Sequence, residues 1–142
     1  MPETDSEVLL RELYDDLGEH LGLEIVAGES GIDRSILNSD VQRPGLALAG
    51  FVDYFNPKGL QILGLTELTY ILSLPEPQRL DQWDKYVSRH PAGIIISREL
   101  EFPPQLLTVA EKQGVCVLHS GMMTDELIHK IELYLDRKLA PS

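Results

Sequence analysis

Residues Gly59 to Thr66, reading GLQILGLT, depart at one position from the G-x-x-x-x-G-K-[ST] pattern of a phosphate-binding loop, because Leu65 stands where lysine is required. Gly45 to Val52, reading GLALAGFV, has the same glycine spacing with Phe51 in the lysine position. The residues between these glycines are large and apolar, which favours amides tied into a strand ladder over amides free to surround phosphate. Neither stretch is read as a nucleotide site. Cys116 and His119 lie three apart in a strand-like run and point to opposite faces, and with His129 they lack a fourth ligand at a metal-binding spacing. They read as a buried cysteine and a strand-end histidine, and no metal is expected. Glu126-x-x-His129 has the spacing of half a di-iron site without a second copy, and it reads as a solvent-facing pair. His90, Ser97, His119 and Ser120 supply nucleophile and base types, but no G-x-S-x-G elbow frames them. No catalytic residue is assigned.

The elements that would carry these residues follow from periodicity. Leu10, Leu13, Tyr14, Leu17 and Leu21 recur at helical spacing, with Asp5 or Ser6 as N-cap and Gly18 and Gly22 closing the helix. LEIVAG reads as a short strand, GIDRSILNSDV as an irregular or hairpin segment, and Arg43-Pro44-Gly45 as a corner turning the chain into LALAG. LALAG and LQILG read as buried strands. Thr66 is placed as the cap of a helix whose Leu68, Ile71 and Leu72 face inward until Pro75 stops it. Pro77 opens another helix, with Leu80, Trp83 and Val87 in one stripe ending before His90-Pro91.

The second half carries the clearest signals. AGIIIS is a continuous apolar strand, PPQLLTVAEKQG starts a helix on proline and ends it on glycine, and VCVLHS is another buried strand. Thr124 is placed as the cap of a last helix with Asp125 and Glu126 in its first turn, Arg137 and Lys138 in its last, and Leu127, Ile128, Ile131, Tyr134, Leu135 and Leu139 inside. Strand, helix, strand, helix predicts parallel strands joined by a right-handed crossover, hence an α/β layered sandwich. The first half reads as a looser form of the same theme, giving one domain over 1–142 with loose halves of about 1–75 and 76–142.

Composition narrows the functional classes. The 142 residues are 43% hydrophobic and 25% charged, as in an ordered globular domain with one core. The longest strongly apolar runs fall far short of the roughly 20 residues that span a bilayer. The opening MPETDSEV is acidic where a secretory signal would be basic, and a single cysteine permits no internal disulfide. A cytoplasmic protein is expected. Residues 1–40 hold 11 acidic and 2 basic side chains, out of a net charge of −11 for the chain. Such a surface repels phosphate backbones and anionic lipid, so neither nucleic acid nor membrane is expected as a partner. It reads as a solvated face that keeps the protein soluble.

SDVQRPGLALAGFVDYF, LQILGLTEL, PAGIIISRELEFPPQLLTVAEKQGVCVL and ELIHKIELYLDRKLAP, in that order and spacing, resemble the N-terminal domain of the bacterial HPr(Ser) kinase/phosphorylase. The resemblance runs from about residue 5 to Pro141 and includes Arg43, Pro44, Gly45, Leu46, Gly50, Gly64, Thr66, Glu67, Ile94 to Ile96, Ser97-Arg98 and Leu139-Ala140-Pro141. It implies a parent enzyme that uses ATP and Mg²⁺ to phosphorylate a serine of the phosphocarrier HPr and removes that phosphate by phosphorolysis, in the regulation of carbon-source use. The parent is hexameric by resemblance. Its P-loop lies in a C-terminal kinase domain beginning after the LAP block, so this chain is expected to hold no cofactor and to transfer no phosphate alone. Its expected partners are that kinase domain, HPr and further copies of itself.

The resemblance also implies a fold similar to the first domain of Mur ligases, an α/β/α sandwich of two βα halves that holds a uridine nucleotide in those enzymes. The SDVQRPG corner looks like the matching region. There Ser39 and Thr66 offer hydroxyls, Arg43 a cation for an anion, and Gly45 and Gly64 close backbone approach, with Glu67 beside them. The plainer reading of the same residues is a turn and core wall, with Arg43 tied to Asp40 or Glu67. Two functions follow: a non-catalytic assembly or regulatory domain, and a free-standing module that senses a small anionic or nucleotide-like metabolite.

Overall fold

The computed structural model describes residues 7–140, which form six strands and six helices. Asp5 and Ser6, the expected caps of the first helix, lie outside the described residues. The first element is a short strand, β1 (Val8–Leu9), paired antiparallel with β3 (Ser35–Ile36). Helix α1 (Leu10–Leu21) starts only after it, and the Glu12 carboxylate accepts the Leu9 N–H at 3.2 Å. Its leucine stripe buries Leu10, Leu13 and Leu21. Gly22, at φ 65°, ends the helix in the left-handed conformation, and the Leu23 N–H donates back to the Gly18 carbonyl at 2.8 Å.

The main sheet has the order β2-β6-β5-β4. Strands β4 (Leu60–Leu63), β5 (Gly93–Ile96) and β6 (Val117–His119) run parallel, as the βαβα pattern predicts. Strand β2 (Glu24–Ala27) adds antiparallel to β6, with a register shift between Ile25 and Ala27. On the far edge Gln42 makes a parallel bridge to Gln61, so the outer side of β4 is partly covered.

Alternation along these strands feeds two cores. Leu60, Ile62, Ile95 and Leu118 join α1 and the last helix, α6 (Thr124–Leu139), in one cluster. Leu63, Ile94, Ile96 and Val117 join the other in a second cluster, with α4 (Glu76–Val87) and α5 (Pro104–Gln113). Each fully buried isoleucine contributes about 1.5–3 kcal/mol by leaving water. On the first face α6 is tied to α1 by the Tyr134 hydroxyl, which donates to Asp16 at 2.5 Å. Burial and the Asp16 carboxylate push that phenol's pKa up.

Two expectations about strand and core need correction. LALAG is not a strand: Gly45–Leu48 is a single helical turn, α2, which buries Ala47 and Leu48. Its Leu and Ala are good helix formers, it has no β-branched residue, and a short apolar run does not separate strand from helix by period. Leu72, expected inside helix α3 (Leu65–Ser73), is 47% exposed, while Leu68 and Ile71 are buried as expected. The stripe of α4 packs inward as expected, with Trp83 and Val87 buried and Leu80 half-buried against the same core, and the fully buried Tyr86 widens it.

Tyr86 explains a polar residue in the middle of a core strand. Gln61 is fully buried in β4, where its amide donates to the carbonyls of Asn56 at 3.1 Å and Gly59 at 2.9 Å. Its carbonyl accepts the Tyr86 hydroxyl at 3.2 Å. Phe55, Tyr86, Trp83 and Phe102 then stack in sequence with ring centroids 5.1, 5.6 and 5.1 Å apart, and the Trp83 indole donates to the Leu106 carbonyl at 2.8 Å. Tyr86→Phe keeps the packing but leaves the Gln61 oxygen without its donor. It is expected to lower stability by about 1–3 kcal/mol, read by urea denaturation, and an unchanged midpoint would show that the hydroxyl contributes nothing.

Candidate functional site

The polar corner is delivered to the sheet by backbone pairing. The Gln42 N–H donates to Leu60 O at 2.9 Å and Gln42 O accepts the Ile62 N–H at 2.7 Å, while the Val41 N–H is held by Glu132 of α6 at 2.9 Å. Arg43 therefore arrives beside the C-terminal end of β4. There the buried Glu67 accepts two donors on one oxygen, the Gly64 N–H at 2.7 Å and the Arg43 Nη2 at 3.0 Å. Of the two carboxylates open to Arg43 in the sequence, the structure selects Glu67.

The end of β5 meets the same place. The buried Ser97 donates its N–H to Leu63 O at 3.1 Å, and its hydroxyl lies 2.6 Å from that of Thr124 at the start of α6. Arg98 and Glu99 follow at φ 62° and 54°, a left-handed pair held by N–H bonds to Met122 O at 2.9 Å and Ser120 O at 3.1 Å. Strand ends, the α3 start and the α6 start thus surround a cavity of about 260 Å³, lined by Arg43, Leu65, Thr66, Arg98, Met123, Thr124 and Asp125. A cleft outside the carboxyl ends of parallel strands is where α/β sheets commonly place ligands.

Of the residues singled out in the sequence, Arg43 and Thr66 line this cavity, and Gly64 and Glu67 form its support. Ser39 and Gly45 do not line it. Neither threonine is a helix cap. Thr66 lies inside the first turn of α3, whose cap position is Gly64, and Thr124 opens α6 behind Met123 with its hydroxyl spent on Ser97. Arg98 and Asp125 complete the lining without having been singled out for it. The signal for them is their position just past a strand end and just inside a helix start.

The other chemical candidates resolve into structure. GLQILGLT contains β4, whose amides are engaged in the ladder, so the stretch does not fit a triphosphate. Cys116 is buried, and desolvation pushes its thiol up to about 12. His119 lies 3.9 Å from the exposed Glu24.

The fold is similar to a crystal structure of the CBS and DRTGG domains of the regulatory region of Clostridium perfringens pyrophosphatase complexed with diadenosine tetraphosphate, with a TM-score of 0.59, 12% identity, and coverage of 99% of this chain and 54% of that one. At that identity the likeness concerns the fold alone. Residues 8–135 match the family described as HPr Serine kinase N terminus, and the chain belongs to that family. It is 44% identical over 127 residues to the HPr kinase/phosphorylase of Halalkalibacterium halodurans and 37% identical over 127 residues to that of Bacillus subtilis. In each case the match covers 89% of this chain and 41% of the relative.

Gly64 tests the support of the cavity. A Cβ there would lie 2.7 Å from the Thr124 hydroxyl and 2.9 Å from the Arg43 guanidinium, whereas one at Gly45 meets nothing within 4 Å. Gly64→Ala is expected to cost about 1–3 kcal/mol by overpacking, and Gly45→Ala to be neutral or mildly stabilising. Equal melting temperatures for the two variants would contradict the packing described. For Cys116, iodoacetamide at mildly alkaline pH is expected to label the folded protein far more slowly than the urea-unfolded one. Equal rates would place the thiol at the surface.

Proposed function

We propose that this chain is the non-catalytic, N-terminal assembly and regulatory domain of a bifunctional HPr(Ser) kinase/phosphorylase, acting in the cytoplasm. The observation that carries the reading is the match of residues 8–135 to the N-terminal family, together with relatives of which this chain spans 41% of the length. Catalysis, with ATP and Mg²⁺, belongs to the remainder of such a parent, and the partners of this domain are the kinase domain, HPr and further copies of the same chain. The pairing of Leu60–Leu63 within GLQILGLT as strand β4 supports a site of phosphotransfer elsewhere.

An assembly role is supported by the apolar side chains of Leu46, Leu65 and Leu72, each more than two-fifths exposed on α2 and α3. The placing of α1 and α6 on one face of the sheet, with α4 and α5 on the other, supports a layered α/β/α fold similar to the first domain of Mur ligases.

The test is direct. Incubated with HPr, ATP and Mg²⁺, this chain is expected to form no phosphoserine, while a two-domain parent forms it. The parent trimmed of this domain is expected to retain the transfer and to lose its native assembly mass or its response to metabolites. Phosphoserine produced by the 142-residue chain alone would overturn the reading.

A further inference from the structure

We propose that the cavity at the C-terminal ends of β4 and β5 binds a phosphate-sized oxyanion, either inorganic phosphate or the phosphoryl group of a small phosphoester, between Arg43 and Arg98. The proposal goes beyond the domain assignment, and its failure would leave that assignment untouched.

Charge is the first argument. The chain carries 23 acidic residues against 12 basic ones, and two exposed arginines away from the cavity are held by carboxylates: Arg11 pairs with Asp33 at 2.6 Å, and Arg89 with Asp53. The Arg98 side chain is exposed on the cavity and makes no hydrogen bond or ion pair among the described residues. Arg43 is engaged only through Nη2, by Glu67, which fixes the guanidinium in place and leaves its other nitrogens available. Two forks from separate loops on one concavity match the oxygens of a phosphoryl group.

The rest of the lining agrees. Thr66 adds a hydroxyl, and the first turns of α3 and α6, nine and sixteen residues long, present amides that no helix carbonyl uses. At α6 no side chain caps them. The site is also built to hold its shape, since Gly64, Ser97 and Thr124 lock the strand ends to the α6 start. About 260 Å³ is below the usual range for whole drug-sized ligands, roughly 300–1,000 Å³, and selects a phosphoryl group with a small substituent over a nucleotide. Asp125 opposes the anion from the rim and supplies an internal control.

The experiment follows backbone amide shifts of the wild-type chain, Arg98→Gln and Asp125→Asn during titration with inorganic phosphate and, separately, glycerol 3-phosphate, at constant ionic strength with chloride as the reference. Saturable shifts are expected at Leu65, Thr66, Thr124 and Asp125. Affinity is expected to be roughly tenfold weaker in Arg98→Gln, from the loss of a charge-assisted contact, and tighter in Asp125→Asn. Comparable affinity for the two anions assigns recognition to the phosphoryl group itself, and tighter binding of the ester assigns a phosphoester as the occupant. Arg98 is exposed, so its replacement leaves the fold intact, which an unchanged melting temperature verifies. Shifts that chloride reproduces, shifts that never saturate, or equal affinity in Arg98→Gln would overturn the proposal.

Discussion

The parallel register of β4 with β5 is the constraint on which the rest of this structure depends. Pairing Leu60 with Gly93 through to Leu63 with Ile96 brings both strands to an end at the same edge of the sheet. Because the strands end together, Gly64 and Ser97 stand side by side, and the helix that follows β6 starts against them. The Ser97–Thr124 hydroxyl contact and the shared Glu67 oxygen are consequences of that register. In an antiparallel pair the two ends would lie on opposite sides of the domain, and Arg43 and Arg98 would never share a cavity.

Register in turn depends on more than hydrophobicity. A strand apolar on both faces, such as Leu60–Leu63, packs almost as well when slipped by one residue as when correctly aligned. Gln61 removes that ambiguity, because its amide and carbonyl are satisfied only when it faces Asn56, Gly59 and Tyr86. A slip would bury an unpaired carboxamide in the other core. The aromatic series running from Phe55 to Phe102 extends the same fixed point across α4 to the loop before α5.

Much of this was legible in the residues, and the failures are instructive. β5, α5, β6 and α6 were readable because long apolar runs alternate with proline and glycine boundaries, so period and punctuation agree. LALAG was not, since four apolar residues without β-branching fit either a strand or a helical turn, and packing that includes contact with α4 decided between them. Thr66 and Thr124 have the composition of caps, but one lies two residues too deep and the other gives its hydroxyl to Ser97, a partner 27 residues away. Of the cavity, the Arg43 side was visible as a polar corner. The Arg98 side was not, because nothing in an arginine announces a left-handed backbone.

The treatment of the sheet's two outer strands bears on how this domain meets other molecules. β4 is flanked by Gln42, whose amide and carbonyl occupy positions that a further strand would need. β2 is four residues long, interrupted in register and marked by the exposed Glu24. Neither margin offers a straight, unoccupied row of peptide groups for an extended segment to zip onto. Covered margins of this kind direct recognition at the main sheet toward side chains and helix surfaces, and the same feature guards the domain against ribbon-like self-polymerisation there.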